Sequence, residues 1–241
     1  MQQEQAALPD GTLEALSGVS TATLSMQLLK RGLRSCWLNG PRPQACGAFP
    51  DGPRLAGEAF TLAFIPQRED LATPESYAAP SSIRAAIEAM PPGRVAVIDA
   101  RGETGAGTLG DLLVERIKAR GGLGVVSDGP LRDLEAVLEA GLPVFCAGAA
   151  APPSIARLAF AGWQVPIGCG GVAVLPGDVL VGDGDGVVVL PRALAAEIAA
   201  AAPEQERFER FVKARLRQGR PVTGLYPPDA ATLEEYETWE E

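Results

Sequence analysis

Through the middle of the chain, short apolar runs alternate with stretches of helical spacing. Val95–Ile98 runs into Asp99, Leu123–Val126 into Ser127-Asp128, and Pro143–Cys146 into Ala147-Gly148. Between them, Asp111–Arg120 and Asp133–Ala140 carry apolar residues at helical intervals. Short apolar strands alternating with helices of this length predict parallel β-α-β units, whose ligands gather at the carboxyl ends of the strands. Asp99, Asp128 and the pair Arg132-Asp133 all fall at that edge.

The flanks read differently. Thr12–Leu16 and Thr21–Arg31 are expected to be helices, the second opened by Ser20 and closed by Gly32. Asn39–Pro53 is punctuated as loop, Glu58–Ile65 is rich in β-formers, and Pro66–Pro80 is a long polar, proline-bearing loop of the kind that covers sites. Ser81–Ala89 follows as a helix capped by Ser81 or Ser82. Beyond Ala151-Pro152-Pro153 the pattern changes to close-set strands, Gly171–Leu175, Asp178–Val181 and Gly186–Leu190, joined by tight-turn signals and therefore antiparallel. A helix from Arg192 to about Arg217, bent at Pro203, leads to an acidic tail whose Tyr226, Tyr236 and Trp239 favour docking over free solvation. The expectation is a single α/β domain over residues 1–223 with a separate tail over 224–241.

Composition narrows the chemistry. A 241-residue chain with 46% hydrophobic residues has material for a sizeable core, and a net charge of −9 argues against nucleic-acid binding. MQQEQAALPD lacks a basic, apolar leader and no run approaches a membrane span, so a soluble, cytoplasmic protein is expected. Cys36, Cys46, Cys146 and Cys169 show no CxxC spacing and read as reduced packing residues. Histidine is absent. That excludes Ser-His and Cys-His nucleophile pairs and His-ligated zinc, leaves acid-base work to carboxylates, Lys, Arg, Tyr, Cys or metal-bound water, and leaves any metal site to oxygen donors suited to Mg²⁺ or Mn²⁺. Asp183 and Asp185 resemble half of a calcium loop, but the ligand-bearing remainder is missing.

The stretch Gly110–Asp133 concentrates the candidates. A helix starting at Asp111 would present the amides of Leu112 and Leu113 to an anion, and Arg132 could add a two-pronged contact. Asp111 and Asp133 would repel that anion unless a divalent cation lay between them and polarised a keto oxygen. Spacing alone leaves a second possibility, in which both acids merely cap helices and Arg132 pairs with one of them.

An Asp followed after twenty residues by Arg-Asp (Asp111 to Arg132-Asp133), set in GDLL and GVVSDGPLRD and followed by LPVF, resembles the RraA-like family. VIDA at Val97–Ala100 and PGDVLVGDGDGVVVLP at Pro176–Pro191 extend the resemblance from about Gly57 to Pro191. That family contains regulators of RNase activity and metal-dependent 4-hydroxy-4-methyl-2-oxoglutarate/4-carboxy-4-hydroxy-2-oxoadipate aldolases. The resemblance implies a layered α/β/α domain assembled as a homotrimer or stacked hexamer. It implies that Asp133 ligates Mg²⁺ or Mn²⁺, that Asp111 holds a metal-bound water, and that Arg132 with the Leu112 and Leu113 amides binds the pyruvoyl end of a small 2-oxo acid. A Glu from the next subunit's C-terminal helix, matched here by Glu209, would complete the site. The implied activity is aldol cleavage of a 4-hydroxy-2-oxo acid, with oxaloacetate decarboxylation on the side. The alternatives are a non-catalytic regulator docking on a partner enzyme, and a dehydratase or isomerase of keto sugar acids. The Pro66–Pro80 loop, Leu33–Gln44 and the tail Gly224–Glu241 depart from the family pattern.

Overall fold

The computed structural model describes residues 7–45, 47–49 and 52–240, so Cys46 lies outside the described residues. One sheet organises the chain. Its centre is β2 (Leu55–Pro66), β3 (Arg94–Asp99), β4 (Gly124–Ser127) and β5 (Val144–Cys146), all parallel. The runs AVI, VVS and VFC are buried on both faces, as strands covered on each side require. Helices α3 (Ile83–Ala89), α4 (Asp111–Ala119) and α5 (Leu134–Glu139) form the crossovers. They cover one face through Ile83, Ile87, Val114, Ile117 and Val137, packed on Phe60, Leu62, Ile98 and Val125.

The antiparallel group follows on the other side of β2. Strand β6 (Leu158–Trp163) pairs with the end of β2, β7 (Val179–Asp183) with its beginning, and β8 (Gly186–Leu190) with β7. A 12-residue β2 is long enough to serve both partners. The last step nearly closes the sheet on itself. Leu38 N donates to Val187 O and Val189 N to Cys36 O, and the same segment continues into β1 (Arg42–Pro43), which pairs with β5. The enclosed interior is apolar, filled by Leu38, Val97, Val126, Phe145, Leu180 and Val187 among others. Helices α1 (Thr12–Ser17), α2 (Thr21–Lys30) and the first half of α6 (Arg192–Arg217) pack outside β7 and β8. The layers are therefore concentric, with helices around a curved mixed sheet.

Most expected elements form. Ser20 and Ser82 accept from Thr23 N and Ala85 N, capping α2 and α3, and α6 continues through Pro203. One expected strand does not form. In Gly171–Leu175, only Val174 bridges, to Ile167, because Gly170 and Gly171 take left-handed φ values of 57° and 77° within a short turn. Two acids at the strand ends hold that turn: Asp99 accepts from Gly168 N and Asp128 from Gly170 N and Ala100 N. Strand β6 carries no period-2 signal in the sequence, where Leu158, Ala159 and Phe160 are apolar in succession. Asp183 anchors α2 by accepting from Thr21 N and Thr21 Oγ1, and it also takes the amide of Asp185. The tail forms α7 (Ala230–Glu237), whose Tyr236 packs with Trp239 on Phe208 and Phe211 of α6.

Candidate active site

The carboxyl edge of β3 and β4 opens into a cleft of about 440 Å³. It is lined by the Gly107–Asp111 loop and the start of α4, by Arg132-Asp133 at the start of α5, and by Tyr77, Arg84 and Ser154. The size suits a small-molecule site.

The loops are fixed by backbone bonds before any side chain acts. Gly107 N donates to Pro152 O, Thr108 N to Pro130 O, and Arg132 N to Leu109 O at 2.7 Å. Arg132 is thereby placed against the Gly107–Gly110 loop. Its Nε donates to Ala151 O at 3.0 Å, which leaves the terminal NH₂ groups of the fork available.

Asp133 adopts φ 50°, ψ 41°, the left-handed region, at the head of α5. Its side chain makes no capping bond, and Oδ2 would lie 3.2 Å from a Cβ at Gly110. The carboxylate therefore points back across the α4 start. Asp111 occupies the first turn of α4, where the N-cap is Gly110 and no side-chain cap forms. Among the described residues neither carboxylate forms an ion pair, and Arg132 pairs with neither of them. The reading in which these groups cap helices and neutralise one another does not describe this site.

One expectation needs correcting. The Leu113 amide is not free: it donates to Gly110 O at 3.2 Å, the same oxygen that takes Val114 N, because the first turn of α4 tightens. The Leu112 amide has no acceptor among the described residues, and its side chain is 78% exposed at the mouth of the cleft. Glu209 lies on α6, where Oε1 accepts from Gln205 Nε2, and it does not line this cleft.

The donor set has a definite character. No group of three Asp, Glu, Cys or His residues surrounds one point among the described residues, so the chain supplies at most the two carboxylates. Oxygen donors in that number fit a hard cation such as Mg²⁺, which keeps several waters, and do not fit zinc. Asp128, close by in sequence, has a different role. It is 6% exposed, its oxygens are spent on Ala100 N and Gly170 N, and burial pushes its carboxyl above the usual range. Burial likewise raises the thiols of Cys36, Cys146 and Cys169, all free and buried.

Sequence reasoning missed Tyr77, Arg84 and Ser154. Tyr77 sits in a short helical turn, Pro74–Ala78, inside the loop expected to cover a site. Its OH lies 3.3 Å from Ser154 Oγ, and Arg84 stands 5.0 Å over its ring.

Comparison with known proteins agrees with this architecture. Residues 21–189 match the RraA-like family model, described as Aldolase/RraA. A Halalkalibacterium halodurans protein named "Putative 4-hydroxy-4-methyl-2-oxoglutarate aldolase" is 41% identical over 46% of this chain, which spans about half (51%) of that protein. A protein of the same name from Ectopseudomonas mendocina is 30% identical over 63% of this chain and 94% of its own length. The solved structure of Streptomyces coelicolor RraAS2, described as an unusual member of the RNase ES inhibitor RraA protein family, superposes with a TM-score of 0.77 at 37% identity, covering 87% of this chain and all (100%) of that one. No helix among the described residues is long and apolar enough to cross a membrane. With a curved mixed sheet, this loop arrangement and a family match across most of its length, the chain belongs to the RraA-like (Aldolase/RraA) family.

Proposed function

We propose that the protein is a divalent-metal-dependent carbon–carbon lyase that cleaves a 4-hydroxy-2-oxo acid to pyruvate and decarboxylates oxaloacetate as a side activity. The observation that carries this reading is that Asp111, Asp133 and the NH₂ groups of Arg132 meet in one cleft without neutralising one another. The names of the aldolase relatives support the reaction class.

Asp133 would hold Mg²⁺ or Mn²⁺ directly and Asp111 through water, and the cation would supply polarisation of the substrate's keto oxygen. Arg132 holds the 2-oxo acid by its carboxylate, and the Leu112 amide adds a donor at the α4 start. In a chain without histidine, a carboxylate of this cleft can accept the proton, and Asp111 takes it from the 4-hydroxyl through a water. The C3–C4 bond then breaks, and the charge that develops on the pyruvoyl fragment lies beside Arg132. Protonation at C3 releases pyruvate. Glu209, on the part of α6 beyond Pro203, is assigned to the cleft of a neighbouring copy in a trimer.

The test is pyruvate release from 4-hydroxy-4-methyl-2-oxoglutarate and from oxaloacetate, with Mg²⁺ or with chelator, beside Arg132→Ala. Release that needs the metal and is lost in the variant supports the lyase; turnover unaffected by chelation overturns it. The likeness to RraAS2 favours one second reading, a regulator that docks on an RNase. Absence of turnover together with inhibition of an RNase E-type enzyme would select it.

A further inference from the structure

We propose that Arg84 is the residue that selects oxo acids bearing a second carboxylate, by binding the end of the substrate remote from the pyruvoyl group. This rests on the reading of the cleft as a 2-oxo-acid site. The charged residues lining the cleft are Arg84, Asp111, Arg132 and Asp133. Arg132, Asp111 and Asp133 belong to the α4 and α5 starts, whereas Arg84 belongs to α3 and lines the same cleft from that separate element. No acid pairs with Arg84 among the described residues. Arg84 is steadied instead by Tyr77, whose ring lies 5.0 Å below the guanidinium and whose OH meets buried Ser154. That ring contact uses no N–H group, so the guanidinium keeps its donors for a carboxylate.

A competing destination for the remote end lies behind Tyr77. There a smaller, mainly apolar pocket shares Tyr77, Ile83 and Ser154 with the cleft and is lined further by Phe64, Leu71 and Phe160. An apolar substrate tail would go there and a carboxylate would not.

Two ligands of equal chain length that cannot undergo the cleavage separate these destinations: 2-oxoglutarate and 2-oxopentanoate, titrated calorimetrically into the full-length protein with Mg²⁺. The expected result is at least tenfold tighter binding of 2-oxoglutarate, with the preference abolished in Arg84→Ala, partly restored in Arg84→Lys, and 2-oxopentanoate affinity unchanged throughout. Equal affinities in the unsubstituted protein, tighter binding of 2-oxopentanoate, or a preference that survives Arg84→Ala overturns the assignment. Preference for 2-oxoglutarate without pyruvate release from any hydroxy-oxo acid would sink the lyase reading while leaving the role of Arg84 standing. Binding of neither ligand would remove both.

Discussion

Gly107 and Arg132 are in such close contact that a Cβ at position 107 would lie 2.4 Å from Arg132 Cγ and 2.6 Å from its backbone nitrogen. Neither atom is the free end of a side chain, so Gly107→Ala must displace the backbone that aims the guanidinium. Overpacking of this kind costs about 1–3 kcal/mol, read as a lower urea midpoint. A misplaced binding group costs on the order of 100-fold in rate, so pyruvate release should fall by about that much in folded Gly107→Ala protein. Unchanged turnover would show that the position of Arg132 is not critical.

Asp133 provides a cleaner test of the metal. Its left-handed backbone costs an ordinary side chain about 1–2 kcal/mol but is tolerated by Asn. Asp133→Asn should therefore unfold within about 0.5 kcal/mol of the unsubstituted protein while Mn²⁺ affinity, measured by titration, falls at least about tenfold. Equal Mn²⁺ affinity in the two proteins would remove Asp133 from the ligand set.

Asp128 predicts a pH dependence. Burial raises its carboxyl above 3.8 in the folded protein, so the native state holds the proton more tightly than the unfolded chain. The sign follows: its contribution is fully present below the unfolded value and is lost as pH rises through the folded one. In urea titrations across that window, the unfolding free energy of the unsubstituted protein minus that of Asp128→Asn should decrease as pH rises. A difference that increases would mean that the amide bonds from Ala100 and Gly170 outweigh desolvation.

The tail is predicted to stabilise the second half of α6. Tyr236 is 9% exposed against Phe208 and Phe211, and its OH donates to Glu204 at 2.7 Å. Tyr236→Ala should cost about 3 kcal/mol. Amide exchange should speed up around Phe211 and leave β3 and β4 unaffected.

The parallel units and the cleft were legible because each depends on local signals. VAVI and GVVS are apolar over the length of a strand, and Asp111 and Arg132-Asp133 mark the loops that follow. What escaped was set by distant partners. Strand β6 exists because β2 extends past β7, and Gly171–Leu175 fails as a strand because Asp99 and Asp128 seize the preceding amides. Arg84 and Tyr77 are unremarkable along the chain. Only the crossover of α3 and the fold of the Pro66–Pro80 loop bring them into the cleft that Arg132 lines.

The segment that joins β8 to β5 has a consequence for solubility. GVVVL at Gly186–Leu190 is short, β-branched and uncharged, the composition that recruits strands from other molecules when its backbone is bare. Here Leu38 N and Cys36 O occupy the Val187 and Val189 positions, and the Trp37 indole between them donates to Asp185 O. The segment that leads into β1 thus shelters the edge of an apolar strand that the chain reaches only near the end of its sheet.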